Sequence, residues 1–115
     1  MTIKILIADK LAPEGATFLK SQTNVEVIEN TGLTGDELVQ AVSSVDGVIV
    51  RSAVKLPEEI LDKCFEIPDC RLKGIARAGV GVDNIDLPTA TKYGVAVMNS
   101  ASASTITTAE HAFAL

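Results

Sequence analysis

Two arginines and one glycine-rich run are the residues of this 115-residue chain whose types and spacing could do chemistry. Asp9-Lys10 follows one short apolar run, Arg51-Ser52 a second and Arg77-Ala78-Gly79-Val80-Gly81 a third, and Asn99-Ser100 closes a fourth. A guanidinium keeps its charge at any physiological pH and offers paired N–H donors that match a carboxylate or a phosphate. The glycines of Ala78-Gly79-Val80-Gly81 let backbone N–H groups approach an anion closely. Recognition of a small anionic molecule is the chemistry these residues suggest. The alternative for Arg51 and for Arg77 is a salt bridge with a nearby Asp or Glu.

Other candidates fit less well. Gly79-Val80-Gly81-Val82-Asp83-Asn84 follows a strand-like run and precedes a helix-like one, as a dinucleotide fingerprint does. However, Asn84 stands where that motif needs a third glycine for close helix–strand packing. The acid expected roughly 20 residues on is also missing, since Asn99-Ser100 ends the next strand. No cofactor-binding residue is therefore assigned within the chain. His111 is the only histidine and adjoins Glu110. Adjacent helix positions point apart, so it reads as a packing or capping residue. Cys64 and Cys70 have no second Cys or His pair with which to complete a metal site, and they read as reduced thiols near a helix end. No metal ligands and no catalytic acid–base pair are assigned.

Short strands alternating with amphipathic helices must position these residues. Strands are expected at 3–8, 25–28, 47–50, 72–76 and 95–98. Helices are expected at 13–21, from Thr34 through about Ser44, from Pro57 through Phe65, and over Pro88–Tyr93 ahead of a glycine stop at Gly94. Thr34-Gly35-Asp36-Glu37 and Thr107-Thr108-Ala109-Glu110 are both spaced as capping boxes. Alternation of this kind predicts an α/β fold with a doubly wound parallel sheet of about five strands, in the flavodoxin-like order 2-1-3-4-5. All the polar residues named above then fall on one edge, beyond the carboxyl ends of the strands, where open parallel sheets bind ligands.

Composition narrows the class further. Fifteen acidic and ten basic residues leave a net charge of −5, which argues against a nucleic-acid binder. No apolar run approaches the roughly 18 residues of a membrane helix, and nothing resembles a secretory leader, so a cytoplasmic location is expected. The final segment begins with a good cap and runs Ala112-Phe113-Ala114-Leu115 with no stop signal, which reads as the start of a longer helix cut short.

The runs Val50-Arg51-Ser52-Ala53-Val54-Lys55, Gly74 through Asp86, Val97-Met98-Asn99-Ser100 and Thr107-Thr108-Ala109-Glu110-His111 together resemble the D-isomer-specific 2-hydroxyacid dehydrogenases. Within that family the combination is most similar to the branch that oxidises a phosphorylated glycerate in serine biosynthesis. The resemblance covers essentially the whole chain. It implies residues 1–104 as a substrate-binding domain and 105–115 as the start of a helix leading into an NAD-binding Rossmann domain. It also implies that Arg51, Ser52, Arg77, Ala78, Gly79 and Val80 face the substrate. Ser52 would donate from its hydroxyl, and Gly79 and Val80 from their backbone N–H groups. Asn99 and Ser100 would lie in the cleft and hinge between the domains.

The implied reaction is oxidation of a 2-hydroxy acid, in which a base removes the hydroxyl proton while hydride passes to NAD. The base and the cofactor loop lie further along in family members, so the chain alone is expected to be inactive. Self-association through an exposed apolar face of the last helix is expected as well. Ala101 and Ser104 replace a proline and an asparagine usual in the family's hinge. Two other readings compete. One is a stand-alone binding or regulatory module derived from the dehydrogenase. The other is a signalling receiver domain, which would need an aspartate where Arg51 stands.

Overall fold

Gly47–Val50 is buried at every residue, so apolar material must cover this strand on both sides. The computed structural model describes residues 2–10, 17, 19–51, 53–78 and 84–100. Five strands are formed: β1 (Ile3–Ile7), β2 (Val25–Glu29), β3 (Gly47–Val50), β4 (Gly74–Ala78) and β5 (Ala96–Ser100). They make one sheet in the order β2-β1-β3-β4-β5, with every pairing parallel. This is the doubly wound α/β order that the sequence alternation predicts. The labelled helices are α1 (Gly35–Ser43), α2 (Glu58–Glu66) and α3 (Leu87–Lys92).

Alternation along the strands divides the core in two. Leu6, Val48, Val50 and Ile75 face Leu38, Val39 and Val42 of α1 and Leu61 and Cys64 of α2. Ile5, Ile7, Ile49 and Ala76 face the other way and pack with Leu19. Each fully buried Ile or Leu contributes about 1.5–3 kcal/mol, so both layers stabilise the sheet. Ala90 of α3 joins the first layer, and Phe65 stacks on Tyr93 with ring centroids 4.3 Å apart, tying α2 to α3.

Three expectations shift. The β4 strand begins and ends two residues later than its apolar run suggests, and β5 begins one residue later and ends two later. Leu72 and Val95 are buried, but they serve packing rather than strand pairing. The N–H groups of Lys73 and Gly74 both donate to the Asp46 carbonyl, and that of Val95 donates to Ala90, so pairing starts only afterwards. Thr34 occupies the cap position of α1, yet its side chain makes no capping bond. Gly35, the first helical residue, has φ of 58°, and this left-handed entry turns the chain away from capping-box geometry. Pro57 sits at the cap position of α2 rather than in its first turn. Gly94, with φ of 74°, ends α3 as expected.

Of the helix expected at 13–21, residues 17, 19, 20 and 21 are described; the first three are helical and Ser21 is already in a turn. The second capping box and the segment 105–115 lie outside the described residues. Among the described residues no helix is long and apolar enough to cross a membrane.

Asp46 fastens the amino edge of the sheet. Its carboxylate accepts from the Lys4 backbone N–H at 2.8 Å and from Arg71 Nη2 at 3.0 Å, which joins β1, the start of β3 and the approach to β4.

Candidate functional site

The chain leaves β1 toward β2 on one side, and β3, β4 and β5 follow on the other. Such a reversal opens a crevice at the carboxyl ends of β1 and β3, because the connections that leave them diverge. Asp9 follows β1 at this point and is only 6% exposed. One of its oxygens accepts from the N–H of Arg51 at 2.6 Å and from the N–H of Val54 at 3.1 Å. The turn after β3 is thus held from β1 by a buried carboxylate.

The same turn is held from the opposite side. Asn84 is 8% exposed, and its amide nitrogen donates to the carbonyls of Arg51 at 2.7 Å and Val54 at 2.6 Å. Its amide oxygen accepts from Arg77 Nε at 2.8 Å. Its backbone carbonyl accepts from the Leu56 N–H at 2.7 Å, and Asp86 N–H donates to Leu56 at 3.0 Å, forming a short parallel bridge between Leu56 and Ile85. One residue therefore links both arginine-bearing segments. Beside it opens a cleft of about 260 Å³ bordered by Lys55, Glu58 and Asp86.

Of the residues singled out from sequence, Arg51 is exposed just past β3, and its Nη1 donates to the Lys10 carbonyl at 3.3 Å. Among the described residues no carboxylate forms a salt bridge with it. Asp9, the nearby acid in this network, bonds backbone N–H groups instead. Arg77 lies within β4 rather than after it, half-buried, in register with Val50 on one side and Asn99 on the other. Ala78 pairs with Ser100 one position further on. The sheet thus brings Arg51, Arg77, Ala78, Asn99 and Ser100 to a single edge. Ser52, Gly79 and Val80 lie outside the described residues, as do His111 and the hinge replacements Ala101 and Ser104. Sequence reasoning put Asp9 at this edge without giving it a role, and it passed over Asn84 as a site residue. The signal for Asp9 was an acid immediately after the apolar run 5–8. The signal for Asn84 was the asparagine in a glycine's place.

The described residues do not fit a dinucleotide. Close approach of helix to strand at position 84 is filled by a satisfied amide, and α3 spans only six residues. The cysteines are both free. Burial, and secondarily Cys70, pushes the Cys64 thiol up to about 12, so it stays protonated in the core beside the Val39 carbonyl.

Comparisons with known proteins identify the family and the fold. Residues 5–114 match the family model for the catalytic domain of D-isomer specific 2-hydroxyacid dehydrogenases. The chain is 42% identical over 112 residues to D-3-phosphoglycerate dehydrogenase of Synechocystis, covering 97% of this chain and 19% of that protein. It is 38% identical to the Archaeoglobus fulgidus D-3-phosphoglycerate dehydrogenase, covering 98% and 20% respectively. The chain therefore spans about a fifth of the length of the curated relatives it matches. The NAD+-bound 3-phosphoglycerate dehydrogenase structure from Entamoeba histolytica superposes with a TM-score of 0.72 at 28% identity, covering 86% of this chain and 33% of that one.

Proposed function

The chain belongs to the D-isomer specific 2-hydroxyacid dehydrogenase family, and from that membership we propose that it is the substrate-binding portion of an NAD-dependent D-3-phosphoglycerate dehydrogenase acting in serine biosynthesis. Residues 1–104 form the substrate-binding unit, and residues 105–115 begin the helix that leads into the NAD-binding unit. Arg51, Ser52, Arg77, Ala78, Gly79 and Val80 contact the anionic substrate, while Asn99 and Ser100 line the cleft and hinge. The enzyme is a cytoplasmic homo-oligomer. The 115-residue chain alone does not turn over substrate.

One observation carries this reading. Arg51 and Arg77, 26 positions apart, are drawn to one sheet edge by a shared asparagine. Two guanidinium groups at a strand-end crevice suit a ligand with a carboxylate and a phosphate. NAD, when bound, would accept hydride. The residues described here would hold and orient the acid. Closure against the cofactor unit would exclude water.

The test is steady-state NAD reduction by the full-length protein with D-3-phosphoglycerate and with D-glycerate. Turnover that favours the phosphorylated acid, absent from the 115-residue chain, is the expected result. Equal rates with both acids would remove the phosphoglycerate assignment. Turnover by the short chain above a heat-killed control would remove the division of labour.

A further inference from the structure

The turn after β3 carries Arg51 and yet takes its shape from residues far away in sequence. Arg51 and Val54 each have one backbone N–H and one carbonyl to satisfy. Asp9 takes both N–H groups, and Asn84 serves both carbonyls. The four groups are thereby bracketed by two buried side chains, 30 to 45 positions distant along the chain. The orientation of the Asn84 amide is fixed by its neighbours. Two carbonyls face its nitrogen and one guanidinium N–H faces its oxygen, so a flipped amide would oppose like with like.

We propose that Asn84 and Asp9 are positioning residues that set the spacing and orientation of Arg51 and Arg77, and hence the match of this edge to a doubly anionic acid. The proposal rests on the substrate reading above. Asn84 uses both amide hydrogens on the Arg51 turn and its oxygen on Arg77, so it fixes the first arginine's backbone and the second's guanidinium plane at once. Aspartate at this position would keep the shape and the acceptor but lose both donors. Glycine, as a dinucleotide loop would have, would lose all three bonds. At position 9 asparagine keeps an acceptor in place and alanine does not.

The experiment measures KM for D-3-phosphoglycerate and for NAD separately in the full-length protein. Arg77→Lys is the reference variant. Asn84→Asp and Asp9→Ala are expected to raise KM for the acid about ten-fold or more, with KM for NAD within about two-fold, and Asp9→Asn is expected to restore most of the loss. If Arg77→Lys raises KM for the acid while folded Asn84→Asp and Asp9→Ala do not, the positioning role is wrong and the substrate site stands. If Arg77→Lys also leaves KM unchanged, the substrate site itself is wrong. If the variants raise both KM values equally, the clamp is only structural and the proposal fails. Should the variants not fold, exchange of the Arg77 Nε–H with water, followed by nitrogen-15 NMR in the unaltered protein, tests the clamp on which the positioning role depends. Slow exchange is expected, and exchange at the rate of a solvated arginine overturns the clamp.

Discussion

The two edges of the sheet each bury one aspartate beside an arginine, and the two pairs are wired differently. At the amino edge Asp46 bonds Arg71 directly, so the two charges compensate one another and hold strands together. At the carboxyl edge Asp9 bonds backbone N–H groups, Arg51 bonds a carbonyl, and the Arg77 Nε is held by a neutral amide. A carboxylate that orders backbone leaves the guanidinium N–H donors to other acceptors, whereas a carboxylate in contact with them occupies those donors. The same pair of residue types thus makes a fastening at one edge and, at the other, orders the turn on which the proposed anion site rests. What separates them is the partner each carboxylate faces.

Mutation at each edge should pull stability and activity apart. The largest effect is expected from Asp46→Ala, which leaves the Lys4 N–H without its acceptor and Arg71 without its partner. Urea denaturation should show a loss of about 2–3 kcal/mol, most of it from the backbone group because the Arg71 side chain is 43% exposed. The kcat/KM of the folded fraction should stay unchanged, and a fall in KM-based specificity would erase the contrast between the edges. Arg51→Ala in the full-length protein should do the reverse. A fall of roughly ten-fold in kcat/KM, about 1.4 kcal/mol, is expected with little change in the urea midpoint.

The core between the edges gives a smaller, pH-dependent effect. Burial raises the Cys64 thiol from 9.0 to about 12, so the folded state favours the protonated form. That contribution is complete below pH 9 and is lost as pH rises from 9 toward 12. Between about pH 8 and about pH 10 the unaltered protein should lose about 1 kcal/mol of stability, and Cys64→Ala should flatten that slope. Equal slopes would show that the thiol does not titrate in this way. The smallest effect is expected at Lys92, which pairs with Asp62 on the exposed surface of α2 and α3. Its pKa is raised, first by the hydrogen bond to Tyr93, but exposed pairs of this kind add little. Lys92→Ala should leave the melting temperature within error, and a shift of several degrees would show that the α2–α3 surface contributes more than an exposed pair does.

Periodicity carried much of the architecture. The unbroken run Gly47–Val50 required cover on both sides, and the strand order followed from alternation and handedness. The strand ends were harder to place. Leu72 and Val95 are as apolar as strand residues, yet turn hydrogen bonds claim their surroundings, and this moved Arg77 into β4. Arg51 and Arg77 were visible because a guanidinium after an apolar run is conspicuous. Asn84 was read as a defect in a glycine motif, since nothing local shows that its amide meets carbonyls 30 and 33 residues earlier.

The sequence by itself determined the element types, their parallel order and the edge at which polar residues gather. These depend on side-chain period and backbone handedness, which are local properties. Only the tertiary structure decided which aspartate neutralises an arginine and which one orders a turn. That choice depends on distances between segments some 25 to 45 residues apart, and no spacing along the chain encodes it.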